Sequence, residues 1–78
     1  MRLLLAEDDP KLLKSLKHIF ETNKFSVDVV NNGEDALHYA LSDEYDGLVL
    51  DIMMPGLDGI EVLKRLRKEN VTTPALFL

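Results

Sequence analysis

The sequence predicts an α/β fold in which a doubly wound parallel sheet is built from the element order βαβαβαβ. Short apolar segments, typical of buried strands, alternate along the chain with segments whose apolar residues recur at helical spacing. Helix-start and turn signals lie between these segments, as at Asp9-Pro10 and Asn31-Asn32-Gly33. With 78 residues, the chain is long enough for one small domain.

The first strand is predicted at Leu3–Ala6, a continuous apolar run that ends at acidic residues. Asp9 then occupies a helix N-cap position, because Pro10 suits the first position of a helix. The apolar residues that follow at helical spacing are Leu12, Leu13, Leu16, Ile19 and Phe20.

A second strand is predicted at Phe25–Val29, where apolar and polar residues alternate. This alternation is typical of a half-exposed strand at the edge of a sheet. A turn at Asn31-Asn32-Gly33 leads into a small amphipathic helix. Its apolar residues are Ala36, Leu37, Ala40 and Leu41.

A third, fully apolar strand is predicted at Gly47–Leu50 and ends at Asp51. Residues Met53–Gly56 form a loop, because Pro and Gly interrupt regular structure. Asp58, with Glu61 three residues later, indicates a capping box at the start of a third helix. Its apolar residues are Ile60, Leu63 and Leu66.

A fourth buried strand is predicted at Ala75–Leu78. If the alternating second strand lies at the edge, right-handed crossovers give the spatial strand order 2-1-3-4. The first and third strands are then neighbours at a topological switch point. Ligands of open α/β sheets bind at the carboxyl ends of such strands.

The composition excludes several classes of protein. The chain has 46% hydrophobic residues, 29% charged residues, a formal charge of −5 and no cysteine, which argues against disorder, disulfides and thiolate zinc sites. No apolar run approaches the roughly 20 residues of a membrane span, and no secretion leader is apparent. We therefore expect a cytoplasmic module that contacts neither membranes nor nucleic acid directly.

Three acidic residues are expected to meet at the switch point. Glu7 and Asp8 follow the first strand and Asp51 follows the third, and neighbouring strands lie about 4.8 Å apart. Carboxylates this close repel one another and favour a hard cation such as Mg²⁺, although Mn²⁺ and Ca²⁺ are also compatible. Asp9 is interpreted as a helix cap. The residues alone thus suggest a metal-assisted phosphoryl site.

Two motifs resemble the receiver domain of bacterial two-component response regulators, a CheY-like domain with a flavodoxin-like fold. They are Leu3–Asp9 (LLLAEDD) and Leu48–Gly59 (LVLDIMMPGLDG). The pattern is similar to the subfamily of transcription regulators whose complete members carry a winged-helix DNA-binding domain. The resemblance covers residues 1–78 but only the first two thirds of a receiver domain, so a partial domain is expected.

This resemblance implies a role for each acidic residue. Asp51 corresponds to the phosphoacceptor, which receives a phosphoryl group from a sensor histidine kinase. Asp8 and its neighbour Glu7 correspond to metal-binding acids, and Mg²⁺ is the implied cofactor. Asp51 and the main-chain carbonyl of Met53 complete the implied ligand set. The implied function is signalling rather than enzymatic turnover.

The chain also departs from the receiver pattern. Complete receivers carry a Thr or Ser after the fourth strand and a Lys after the fifth, whereas the sequence ends at Leu78 without the fifth strand and the last two helices. One alternative is therefore a half-receiver that acts only in assembly, and we expect self-association, most simply as a dimer. Another alternative is an aspartate-nucleophile phosphohydrolase, but such enzymes need an acid where Met53 stands. A flavodoxin-like nucleotide binder is disfavoured, because Glu7–Asp9 would repel phosphate.

Overall fold

A computed structural model describes all residues 1–78, and its element order is the predicted one. The strands and helices are β1 (Arg2–Ala6), α1 (Pro10–Thr22), β2 (Ser26–Val30), α2 (Gly33–Ser42), β3 (Gly47–Leu50), α3 (Gly59–Lys68) and β4 (Ala75–Phe77). None of the helices combines the length and the apolar character that crossing a bilayer requires.

The four strands form one parallel sheet in the order β2-β1-β3-β4, as predicted. In this register Ala6 is paired with Val30 on one side and with Leu50 on the other. The carboxyl ends of β1 and β3 are therefore level with each other. Residues that follow these two strands leave the sheet side by side.

Helices cover both faces of the sheet. The larger core lies between the sheet and the helices α2 and α3, and it includes the fully buried Leu4, Leu50 and Val62. The smaller core lies under α1, where Leu5 and Val49 pack against Leu16 and other partly buried side chains. This arrangement is the doubly wound architecture, with β1 and β3 at its centre.

The prediction that β4 is a buried strand was wrong. Leu76 is 61% exposed, and Phe77 and Leu78 are also exposed. β4 pairs only with β3, and within the strand only Ala75 packs against the larger core. The apolar character of this segment predicted the strand correctly. Its burial, however, would require further elements packed against β4, and in this structure β4 pairs with β3 alone.

The buried face of α3 also differs from the expected one. Ile60 is 43% exposed, whereas Val62 and Leu66 are fully buried. Positions 62 and 66 are one helical turn apart and point together toward the sheet. Ile60 instead lies near Phe77 at the β4 side of the helix. In a short helix with several apolar residues, the spacing of these residues is compatible with more than one side of the helix facing the sheet.

A group of polar residues, here called the Arg2 cluster, holds the amino end of the sheet together. The carboxylate of Asp28 accepts hydrogen bonds from the Arg2 guanidinium at 2.8 Å and from the Tyr45 hydroxyl at 2.7 Å. The guanidinium also lies 4.8 Å from the centre of the Tyr45 ring, and the Arg2 main-chain N–H donates to the Asp46 carboxylate at 2.7 Å. Burial, with a further contribution from Asp28, raises the pKa of Tyr45. This cluster links β1, β2 and the α2–β3 loop.

Candidate functional site

Sheet hydrogen bonds position the predicted acidic residues. The main-chain N–H of Asp51 donates to the carbonyl oxygen of Ala6 at 2.9 Å, and that of Glu7 donates to Val30 at 3.1 Å. The ladder therefore extends one residue past the ends of β1 and β3. Because the backbone of Glu7 and Asp51 is fixed by the sheet rather than by a loop, the separation of their carboxylates is built into the fold.

The structure brings Glu7, Asp8 and Asp51 together at what we call the acidic edge. One carboxylate oxygen from each residue lies within 4.8 Å of the other two. Glu7 is only 4% exposed, Asp51 is half-buried and Asp8 is exposed, so the acidic edge opens to solvent on the Asp8 side. None of the ion pairs of the chain involves these carboxylates. The negative charge of the acidic edge is thus uncompensated by protein cations.

This environment raises the pKa of Glu7 to about 7 from its ordinary value of 4.5. Burial is the largest cause, followed by hydrogen bonding with Asp51 and by repulsion from its charge. The main-chain N–H of Asp8, which donates to Glu7 Oε2 at 2.9 Å, acts in the opposite direction. Near neutral pH the acidic edge therefore favours the uptake of either a proton or a cation.

The donor set fits a hard divalent cation. All three side chains offer oxygen, and no histidine or cysteine belongs to the group. Carboxylate oxygens are the ligands that Mg²⁺ prefers, and Mg²⁺ retains several waters, which the open Asp8 side can accommodate. The residues present are therefore compatible with the expected cofactor.

Met53 adjoins the acidic edge through its main chain. Its N–H donates to Asp51 Oδ1 at 3.3 Å, while its side chain is 79% exposed. An apolar side chain that points into solvent takes no part in the chemistry of the site. The implied role of the Met53 carbonyl as a metal ligand stays a prediction.

Asp9, the remaining acid of the first motif, caps α1 as predicted. Its carboxylate accepts the main-chain N–H groups of Lys11 at 3.0 Å and Leu12 at 3.4 Å. Pro10 is the first residue of the helix. Asp9 is not part of the acidic edge. The three acids of the motif are thus two residues of the acidic edge and one helix cap.

Glu34, which sequence analysis did not identify, holds the loop after Asp51. Its carboxylate accepts the main-chain N–H of Leu57 at 3.2 Å, and Gly56 beside it adopts a φ of +72°. At Gly33 any side chain would overlap the Leu57 carbonyl. Gly33 at the end of the turn, followed by Glu34, was the available signal, since a glycine at a helix start often marks a close approach of another chain segment.

Comparison with known proteins agrees with this geometry. The sequence-family model named response regulator receiver domain matches residues 3–78 of this chain. Transcriptional regulatory protein TctD of Salmonella typhimurium is 50% identical over the whole chain, which covers 35% of that protein. The first curated relatives are all much longer, and the chain spans 12% to 35% of their length.

Two solved structures have the same fold. The receiver domain of the Francisella response regulator 1452 superimposes with a TM-score of 0.95 at 42% identity, over 97% of this chain and 63% of that one. TrrA of Thermotoga maritima, solved in complex with Mg²⁺ and BeF, gives a TM-score of 0.86 at 36% identity, over 97% of this chain and 64% of that one. With a family model that matches almost every residue and a fold shared with solved receivers, this chain belongs to the response regulator receiver family.

Proposed function

We propose that the chain is a phosphoacceptor module of a two-component response regulator, in which Asp51 receives a phosphoryl group from a sensor histidine kinase. The observation that supports this most strongly is the position of Asp51 at the switch-point edge, within 4.8 Å of two further carboxylates. Family membership supports the same role. The proposed activity is signalling, with stoichiometric transfer to the protein itself.

In this proposal Glu7, Asp8, Asp51 and the Met53 carbonyl hold Mg²⁺. When bound, Mg²⁺ neutralises the carboxylates and the phosphoryl oxygens and so allows their close approach. TrrA, which shares the fold, was solved in complex with Mg²⁺ and BeF, and this supports the binding of Mg²⁺ here. Without a cation, three carboxylates would repel an incoming phosphoryl group.

Other groups of the chain position Asp51 for the transfer. The N–H of Met53 donates to Asp51 Oδ1 and so helps to orient the carboxylate. A bond forms between a carboxylate oxygen of Asp51 and phosphorus while the bond from phosphorus to the kinase imidazole nitrogen breaks. The hydrogen bond from Asp51 N–H to Ala6 fixes the backbone during this step. Catalysis thus consists mostly of positioning and electrostatics.

Phosphorylation by acetyl phosphate tests the proposal without a kinase. Intact-protein mass should show the addition of one phosphoryl group when Mg²⁺ is present and much less without it. Asp51→Asn should abolish the addition. Asp58→Asn is the matched control, because Asp58 caps α3 by accepting the Glu61 N–H at 2.8 Å and Asn caps equally well. Phosphorylation that persists in Asp51→Asn would rule out this acceptor.

A purely structural role is the second candidate, and the exposed apolar side chains of β4 favour it. Unpaired strand edges recruit strands from other chains. Sedimentation at micromolar concentration distinguishes the candidates when combined with the mass measurement. A dimer that takes up no phosphoryl group supports assembly alone, whereas a monomer that is phosphorylated on Asp51 excludes it.

Two wider assignments are also proposals. The chain covers 63% of the Francisella receiver, which supports its interpretation as the amino-terminal part of a receiver domain. Curated relatives are named as transcriptional regulatory proteins, which supports a cytoplasmic parent that regulates transcription. The phosphohydrolase alternative is disfavoured, because the exposed Met53 side chain occupies the position where such an enzyme needs an acid.

A further inference from the structure

A broad groove runs along the outer surface between α2 and α3, on the side of these helices away from the sheet. Its main part has a volume of about 970 Å³, and a smaller part of about 410 Å³ continues toward the β3–α3 loop. Leu37, Leu41 and Arg65 line both parts. We call the two parts together the α2–α3 groove.

The α2–α3 groove combines an apolar strip with a basic wall. Leu37 is half-buried, and Leu41 is 46% exposed although it belongs to the apolar side of α2. Lys64, Arg65 and Lys68 lie on the facing side of α3. Arg67 and the carboxylates of Glu61 and Glu69 also line this part, so the four cations outnumber the two carboxylates and the lining is net positive in a chain whose formal charge is −5.

The lysines of this wall are free to bind a partner. Arg65 pairs with Glu61 at 3.3 Å. In contrast, neither Lys64 nor Lys68 lies within 4.0 Å of a carboxylate. Lys68 lies in the last turn of α3, where a cation interacts favourably with the helix dipole, whereas Lys64 lies outside that turn. The dipole does not explain why the half-buried Leu37 and the exposed Leu41 of α2 face them.

We propose that the α2–α3 groove binds an acidic amphipathic helix of a partner protein. A helix that lies in a groove uses apolar residues one turn apart, and Leu37 and Leu41 offer a matching pair at i and i+4. Acidic residues beside that apolar stripe would face Lys64 and Lys68, where opposite charge accelerates association and fixes orientation.

The location of the groove is separate from that of the acidic edge, so this proposal does not depend on the proposed phosphotransfer. Gly56 and Leu57 line the smaller part of the groove. They belong to the loop after Asp51, whose Leu57 N–H is bound by Glu34. A helix seated in the groove would therefore also contact the loop that follows the candidate phosphoacceptor.

The test is a titration of the ¹⁵N-labelled chain with a synthetic helical peptide that carries leucines at i and i+4 and glutamates on both flanks. Amide shifts should change along the facing sides of α2 and α3. The double variant Lys64→Glu with Lys68→Glu should weaken binding by about tenfold or more, since it replaces attraction with repulsion at two positions. Lys11→Glu with Lys14→Glu on α1 is the matched control and should bind like the wild type.

Three outcomes would overturn the proposal. The first is equal weakening by the α1 control, which would indicate attraction by general charge. The second is equal binding of a peptide with the same composition but dispersed leucines, which would remove the role of the apolar strip. The third is a groove that responds more strongly to duplex DNA or to anionic lipid vesicles than to the peptide, which would assign it to that other partner.

Discussion

Gly59 lies directly against Asp51, and a methyl group at position 59 would overlap the Asp51 main-chain carbonyl oxygen. The Gly59 N–H also donates to the carbonyl of Ile52 at 2.9 Å. The start of α3 is therefore docked on the backbone of the candidate phosphoacceptor. Any residue larger than glycine must push one of these two segments away.

We expect Gly59→Ala to lower the free energy of unfolding by about 1–3 kcal/mol, because the overlap is with backbone that cannot rotate away. The same change should reduce phosphorylation by acetyl phosphate, since it displaces Asp51. Gly47→Ala is the control, because its methyl group would meet chiefly a terminal methyl of Leu3, at 3.0 Å. Equal urea midpoints for the two variants would contradict this prediction.

Stability should depend on pH through Glu7. A carboxyl group whose pKa rises on folding, here to about 7, stabilises the fold while it stays protonated. This contribution is fully present below the ordinary pKa of 4.5 and is lost as the pH rises through the folded pKa. In the absence of divalent cations, the free energy of unfolding should therefore decrease as the pH rises from 4.5 to about 7.

Glu7→Gln isolates this effect, because glutamine cannot ionise. The variant should be more stable than the wild type at pH 8 and should show a flatter pH profile. Glu44→Gln, which changes an exposed acid outside the acidic edge, should retain the wild-type profile. Wild-type and Glu7→Gln profiles that run parallel would show that Glu7 does not titrate in this range.

Millimolar Mg²⁺ should raise the melting temperature, because a ligand that binds only the folded state stabilises it. The rise should be larger above pH 7, where Glu7 is ionised and the repulsion at the acidic edge is greatest. Asp8→Asn and Asp51→Asn should each diminish the rise, whereas Glu44→Gln should preserve it. A similar rise in all variants would indicate general ionic screening instead of a site.

Tyr45→Phe should destabilise the fold by about 1.5–3 kcal/mol, the range for a hydrogen bond to a charged group. It removes the donor that lies 2.7 Å from the Asp28 carboxylate. Tyr39→Phe is the matched control, since the exposed Tyr39 hydroxyl donates no hydrogen bond to the protein. Urea denaturation of both variants measures the difference, and equal losses would show that the hydrogen bond from the Tyr45 hydroxyl does not stabilise the fold.

The sequence was sufficient to predict the fold because each element has its own local signal. The apolar run Gly47–Leu50 stops at a charged residue, and the Asp9-Pro10 pair begins a helix. The exposure of β4 was not predictable in the same way, because the burial of a strand is a property of its neighbours. The side of α3 that faces the sheet likewise depends on tertiary packing, and Val62 is buried where Ile60 was expected to be.

The acidic edge was also predictable, since strand order alone brings the residues after β1 and β3 together. The near-complete burial of Glu7 was not, because it depends on how tightly the surrounding loops close. Long-range polar partners, such as Arg2 with Asp28 and Glu34 with Leu57, were missed for the same reason. They are separated in sequence by more than 20 residues, and no spacing rule connects them.

The two ends of the sheet differ in the polar interactions between their strands. At the amino end, hydrogen bonds and an ion pair join Arg2, Asp28 and Tyr45, whereas at the opposite end three carboxylates push one another apart. Local opening of a sheet starts where the free energy required for opening is lowest. Amide hydrogens near Asp51 should thus exchange with solvent sooner than those near Arg2. A cation at the acidic edge would slow amide exchange there and leave exchange at the amino end unaffected. Cation binding would therefore reduce the difference in exchange rate between the two ends of the strands.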